Sequence, residues 1–411
     1  MLVEWEGMAE LGLLLREASV SISAGIIHDL RQNFGLHTHL HALQQYVLLA
    51  NGDFCLALVE GLREELGKSA AEMEPRLLWH TLEEVLEKTA EELAEPSRLS
   101  LEILPAGAEE LEVGWELVYL AYALPDPLRV IVDRQAQDDY LRLFQLIFRR
   151  SALAQELIQL NRALAAQSLR TPPHLLQARG LLKHLQLSLQ PAVNFLRLIT
   201  AYLFNQGLER ASKCLESELE AAGDLEAVFQ AHRAFLHSAL SHALLSQDTQ
   251  ALGEATDALV GSMESLAELC RKGLEAVEAE LSLAQRLKPI PPKGADETAE
   301  WTEALREYQL DEDRCLALQR EQDDVRAQVA LEWESWEGRL RQLLLCLSGG
   351  ETKALQELGR AVNALGFYTT PELTRRATLA NPAILRLYSM NNSRLLSANS
   401  PILAGGRMSK K

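Results

Sequence analysis

The sequence predicts a mainly α fold: antiparallel helical bundles with one small β element near residues 99–132. Three observations carry this. Leu, Ala and Glu dominate while aromatic residues make up only 6% of the chain, a composition of good helix formers with little β-branching. Apolar residues recur at three- and four-residue spacing through most of the length. Between 99 and 132 the period drops to two, and Pro125 and Pro127 break any helix.

Residues 3–34 and 36–49 read as amphipathic helices. Asn51-Gly52-Asp53 interrupts them, with the chemistry of a turn feeding an N-cap. Asp53 is the expected cap of a helix Phe54–Leu66 that Gly67 ends. A further helix spans roughly 76–94. The alternating stretches 99–104 and 116–122 are the expected strands. Helices follow at about 135–168, 174–221, 224–246 and 248–286. Residues 287–299, with three prolines and a glycine, form the expected linker or loop, and helices at about 300–347 and 351–365 complete the pattern. After Tyr368 the chain turns Asn-, Ser- and Pro-rich, which predicts a largely disordered tail over 369–411. No internal repeat is visible. The expected organisation is therefore N-terminal helices over 1–36, one domain over 37–368, and the tail.

A chain of 411 residues that is 47% hydrophobic and 24% charged can bury a large core. Its formal charge of −18 argues against nucleic acid or an anionic membrane as partner, because phosphate binding needs a positive surface. The exception is local: from Pro371 onwards Arg375, Arg376, Arg386, Arg394, Arg407, Lys410 and Lys411 face a single acid, Glu372. The five cysteines, at 55, 214, 270, 315 and 346, are scattered and odd in number, which suits reduced thiols in an intracellular compartment. The N-terminus carries acids before its apolar stretch, unlike a secretory signal, and no run of about 18 apolar residues predicts a membrane span.

Several fragments imitate chemistry. Gly61 to Gly67-Lys68-Ser69 resembles a phosphate loop, but five residues separate the glycines where four are needed, and a helix precedes it instead of a strand. Arg129-Val130-Ile131-Val132-Asp133 imitates a magnesium-binding strand, and Ser348-Gly349-Gly350 a nucleotide motif in the wrong order along the chain; a turn between helices is the preferred reading of the latter. His37, His39 and His41 fan apart on a helix and cannot share one metal. His232 and His237 lie on neighbouring faces of one helix and read as structural. Trp333 and Trp336 could anchor a partner, but Leu340, Leu343, Leu344 and Leu347 extend the same face, which favours a core stripe. No catalytic residue, cofactor site or metal site is proposed.

One set of blocks goes further. His39-Leu-His-Ala-Leu-Gln-Gln-Tyr46-Val-Leu-Leu49-Ala-Asn-Gly52-Asp53-Phe54 resembles the gamma-tubulin complex protein family, also called the Grip-motif or spindle-pole-body component family. Gly114-Trp115 with Leu120, Tyr122, Pro127 and Leu128 is similar to the family's next block, and Tyr140 to Arg150, containing Phe144 and Phe148, to the helix after it. Asp224, Leu225, His232, Phe235 and Leu236 fit a later block; Trp336 to Leu347 and then Gly366-Phe367-Tyr368 fit the closing one. The chain departs from the pattern at Ala50-Asn51, usually Gly-Gln, at Asp126, and at Ser212, usually Trp. The order of the blocks over about 37–368 identifies the second, C-terminal Grip domain.

The resemblance implies a non-enzymatic subunit that binds γ-tubulin and supports microtubule nucleation at a microtubule-organising centre or spindle pole, in the cytoplasm and cytoskeleton. It implies other gamma-tubulin complex proteins as further partners. The first Grip domain, which packs subunits side by side, has no counterpart among these blocks, so lateral assembly is not expected of the chain alone. The γ-tubulin contact is expected in the C-terminal half. The motif residues themselves are expected to be fold determinants. A helical scaffold or tether without γ-tubulin binding is the alternative.

Overall fold

The computed structural model describes residues 18–65, 68, 72–89, 95–103, 117–286, 299–348 and 353–363. The expected linker at 287–299 and tail at 369–411 lie outside these residues, apart from Ala299, as do Gly67, Ser69, Gly114, Trp115, Gly349, Gly350, Phe367 and Tyr368. Among the described residues the fold is mainly helical with one two-stranded antiparallel sheet. It divides into two compact units, Met1–Trp336 and Glu337–Lys411.

In the first unit, α1 covers residues 18–32, and α2 is Leu36–Ala42, entered through Gly35 at φ 59°. The helix then widens into a π segment, π1, over Leu43–Val47, in which Leu48 N–H donates to the Leu43 carbonyl five residues back. Leu49 bends the chain by 46° in a left-handed conformation, φ 54°, costly for a residue with a Cβ, while its side chain is buried. Helix α3 is Gly52–Leu62, and here the structure corrects the sequence reading. Its N-cap is Asn51: the side-chain oxygen accepts from Phe54 N–H at 3.1 Å, and the Asn51 carbonyl accepts from Cys55 N–H. Gly52 already has helical geometry, which leaves Asp53 exposed inside the first turn. The helix also ends at Leu62 instead of 66.

Helix α4 is Pro75–Thr89. The period-two stretches form β1, Leu99–Ile103, and β2, Val118–Tyr122, paired from Leu99↔Tyr122 to Ile103↔Val118. After the short α5, Asp126–Arg129, comes α6, Arg134–Arg170, capped by Asp133. The magnesium-strand lookalike is thus a helical turn running into an N-cap. The helix expected at 174–221 is α7, Leu176–Tyr202, a second π segment, π2, over Leu203–Glu209, and α8, Arg210–Ala221. Asp224 caps α9, Leu225–His242, and α10 is Gln250–Arg286. Helix α11, Ala299–Ser348, runs on into the second unit, which also holds α12, Lys353–Val362.

The 37 residues of α6 form a shared spine. The first half, through Ala152, lies in one buried cluster with α1 to α4, the hairpin, π2, α8 and α9. The helix also packs along α7 and α10. Two ion pairs fix the α6–α10 register: Arg149–Glu264 at 2.9 Å and Arg271–Glu156 at 3.0 Å. Each joins positions 115 residues apart, so the two helices run parallel, with the charge order swapped one heptad along. On α11, Gln322, Val325, Val329 and Trp336 form a buried stripe with three-, four- and seven-residue spacing. The Trp reading holds: Trp336 is buried against Phe195, Trp333 stacks on it at 4.8 Å, and Leu340, Leu343, Leu344 and Leu347 are buried further along.

Candidate partner interface

The motif residues meet in three dimensions although they come from distant blocks. Tyr46 of π1 packs edge-to-face on Phe54 of α3, ring centroids 5.1 Å apart, across the 46° bend between the two helical stretches. Phe144 stacks on Phe148 within α6 at 5.2 Å. Tyr140 of α6 and His232 of α9 stack at 5.9 Å, with the hydroxyl 3.2 Å from Nε2. Burial pushes the Tyr140 hydroxyl up, and pushes His232 down to about 4, so the imidazole is neutral at pH 7. Leu49, Phe54, Tyr140, Phe144, His232 and Phe235 are all buried. Pro127 is half-buried at the start of α5, and Gly52 and Asp53 are exposed.

His39 differs. Half-buried on α2, its Nδ1 lies 2.7 Å from the Tyr122 hydroxyl on β2, joining the helix to the hairpin. Burial, and then the Arg98 charge, lower its pKa; burial raises that of Tyr122. His37 is exposed, and His41 contacts Gln45 at 3.4 Å. Among the described residues no group of three or more His, Cys, Asp or Glu side chains is placed to hold a metal ion. Lys68 of the phosphate-loop lookalike pairs with Glu65, one turn away. All five cysteines are free.

The outward face of π1 separates two grooves. One, of about 270 Å³, lies between the α1–α2 turn and Tyr122. The other, of about 370 Å³, lies between π1, π2 and α8. Gln44 and Gln45 of π1 form one wall of the larger groove and Phe204 and Asn205 of π2 another; Leu48, Leu208 and Phe235 supply apolar surface. The Ser212 hydroxyl donates to Gln44 Oε1 at 2.7 Å across it. Ala50 and Ser212, two of the positions that depart from the block pattern, both line this groove. Carboxamides, a hydroxyl and an aromatic ring over an apolar base suit recognition of a protruding side chain. Sequence reading missed this groove because a π segment adds one residue to a helical turn without altering composition.

A helical bundle with a small antiparallel strand pair and a buried Tyr–His pair defines a structural class, and comparison with known proteins narrows it. The profile of the gamma tubulin complex component C-terminal family matches residues 36–368, and the chain belongs to that family. It is similar to the gamma-tubulin complex component 3 homolog of Xenopus laevis, 24% identical over 363 residues that cover 86% of this chain and 39% of the relative. It is similar to the Homo sapiens gamma-tubulin complex component 3, 23% identical with the same coverage of each chain. It also resembles the spindle pole body component alp6 of Schizosaccharomyces pombe, 32% identical over 130 residues, 30% of this chain and 15% of that one. The chain thus spans about two-fifths of the length of the first two relatives.

Proposed function

We propose that the chain is a non-catalytic subunit of a γ-tubulin complex: it binds γ-tubulin and supports microtubule nucleation at microtubule-organising centres or spindle poles. The family match across 36–368 is the observation that carries this. It is supported by relatives named as gamma-tubulin complex components and spindle pole body components. Residues 37–368 act as the binding domain, 1–36 lead into it, and 369–411 form a basic tail. Other gamma-tubulin complex components are its further partners.

The chemistry is that of a protein–protein contact, for which a stable complex buries about 1,200–2,000 Å². A body with a formal charge of −18 gains little steering towards an acidic partner, so apolar anchors carry the affinity. The test is co-expression with γ-tubulin followed by sizing, for the full chain and for a version ending at Tyr368. Co-elution of both supports a binding domain over 37–368. Co-elution of the full chain alone moves part of the contact to the tail. Failure of both favours a helical scaffold without γ-tubulin binding.

A further inference from the structure

The chain is acidic overall, with 58 Asp and Glu against 40 Lys and Arg, yet no acid occurs between Glu156 and Glu209. That stretch holds Arg162, Arg170, Arg179, Lys183 and Arg197, and it builds the end of α6, the turn and all of α7. The two halves of α6 contrast. In the first, Arg142, Arg149 and Arg150 each face an acid, Asp139, Glu264 and Asp257 respectively. Among the described residues none of the five later cations enters an ion pair, and all five are exposed.

Helix α7 gathers them on one face. Leu176, Arg179, Lys183, Leu187, Gln190 and Arg197 are all exposed and recur at three-, four- and seven-residue spacing. On a helix of 3.6 residues per turn they fall within about 80° of one another, along a stripe of about 32 Å. Leu176 is 76% exposed and Leu187 63%. Helix α6 flanks the stripe, where Asn161 meets Gln190 at 3.5 Å. The Arg326 guanidinium of α11 lies against Gly180 and adds a further cation.

We propose that this face of α7 is a docking site for an acidic amphipathic helix of a protein partner. Partner carboxylates pair with Arg179, Lys183 and Arg197, and partner apolar side chains cover Leu176 and Leu187. The stripe itself selects this occupant. Arg179 and Lys183 stand between the two leucines, so inserting the leucines into a bilayer would draw both cations out of water, whereas a membrane-surface helix keeps its cations on the opposite face. Nucleic acid would leave the leucines uncovered and would meet an acidic body. A face one helix wide gives a contact at the small, transient end of protein interfaces. The proposal rests on the charge and exposure of this face, and does not require the partner to be γ-tubulin.

The experiment titrates the full chain into a fluorescein-labelled helical peptide as long as the stripe, with leucines on one face and glutamates along both edges, and reads anisotropy. A control peptide of the same composition has its leucines dispersed around the helix. The first should saturate, and the control should bind about tenfold more weakly because it cannot cover both leucines at once. Arg179→Glu with Lys183→Glu should raise the Kd of the first peptide about tenfold, as two exposed pairs turn from attraction to repulsion. Arg76→Glu with Lys88→Glu, the same charge change at exposed positions on α4, should leave it unaltered. Leu187→Gln should raise it about threefold without touching the core. Phosphatidylserine-containing vesicles and an oligothymidylate should not displace the peptide. Equal binding of the two peptides, an unchanged Kd in the α7 double variant, an equal loss in the α4 double variant, or displacement by vesicles or oligonucleotide would each overturn the proposal.

Discussion

Asn51 and Asp53 stand two residues apart before α3, and only Asn51 caps it. The pair was legible in the sequence as a turn with a cap, but not which member caps, because that depends on where Gly52 enters the helix. Asn51→Ala should cost about 1 kcal/mol of unfolding free energy, while Asp53→Ala should cost about half as much or less through the helix dipole alone. Urea denaturation of the two variants measures the difference. His232 makes the second residue-scale prediction. Its pKa is about 4 in the fold against an ordinary value of 6.5, with burial the main cause. Only the unfolded chain takes up that proton between those values, so stability rises with pH across pH 4 to 6.5 and is lost on acidification. The loss amounts to about 3 kcal/mol in all. Comparing unfolding free energies at pH 7 and pH 4 checks this, and His232→Gln should flatten that part of the profile. The sequence marked His232 as structural; its depressed pKa follows from burial beside Tyr140, which no local pattern encodes.

At the scale of elements, helices and the hairpin were legible because each carries its own period. The strands fell where alternation replaced the helical spacing, and Trp336 lies in the core stripe that its leucine neighbours suggested. The π segments were not legible, nor was the polar contact that joins α11 to α10. There, Gln319 and Gln322 donate to the two oxygens of Glu280 at 3.1 Å and 2.7 Å; Glu280 and Gln322 are both buried. Gln322 occupies a core position of the α11 stripe, where a polar residue fixes register at a cost in stability. Gln322→Leu strips Glu280 of its shorter hydrogen bond and should destabilise by about 2 kcal/mol. Adding Glu280→Leu should recover much of that loss, since an apolar pair replaces a half-satisfied carboxylate. A double-mutant cycle by chemical denaturation gives the coupling; strictly additive losses would remove this contact as the register device.

Across the whole molecule, α6 ties together the motif-bearing cluster and the α6–α7–α10 bundle. The blocks that identify the family are largely buried in that cluster, so they support the fold and expose little of themselves to a partner. That is why the fold and family were legible in the sequence while the contact surface was not: buried motif residues announce the core, and surface grooves arise where distant elements meet. The central claim concerns the partner. Sedimentation velocity of the purified full chain mixed with purified γ-tubulin at micromolar concentration tests it most directly. Binding predicts a single faster species at the mass of a one-to-one complex, and two species sedimenting independently at every ratio would contradict it.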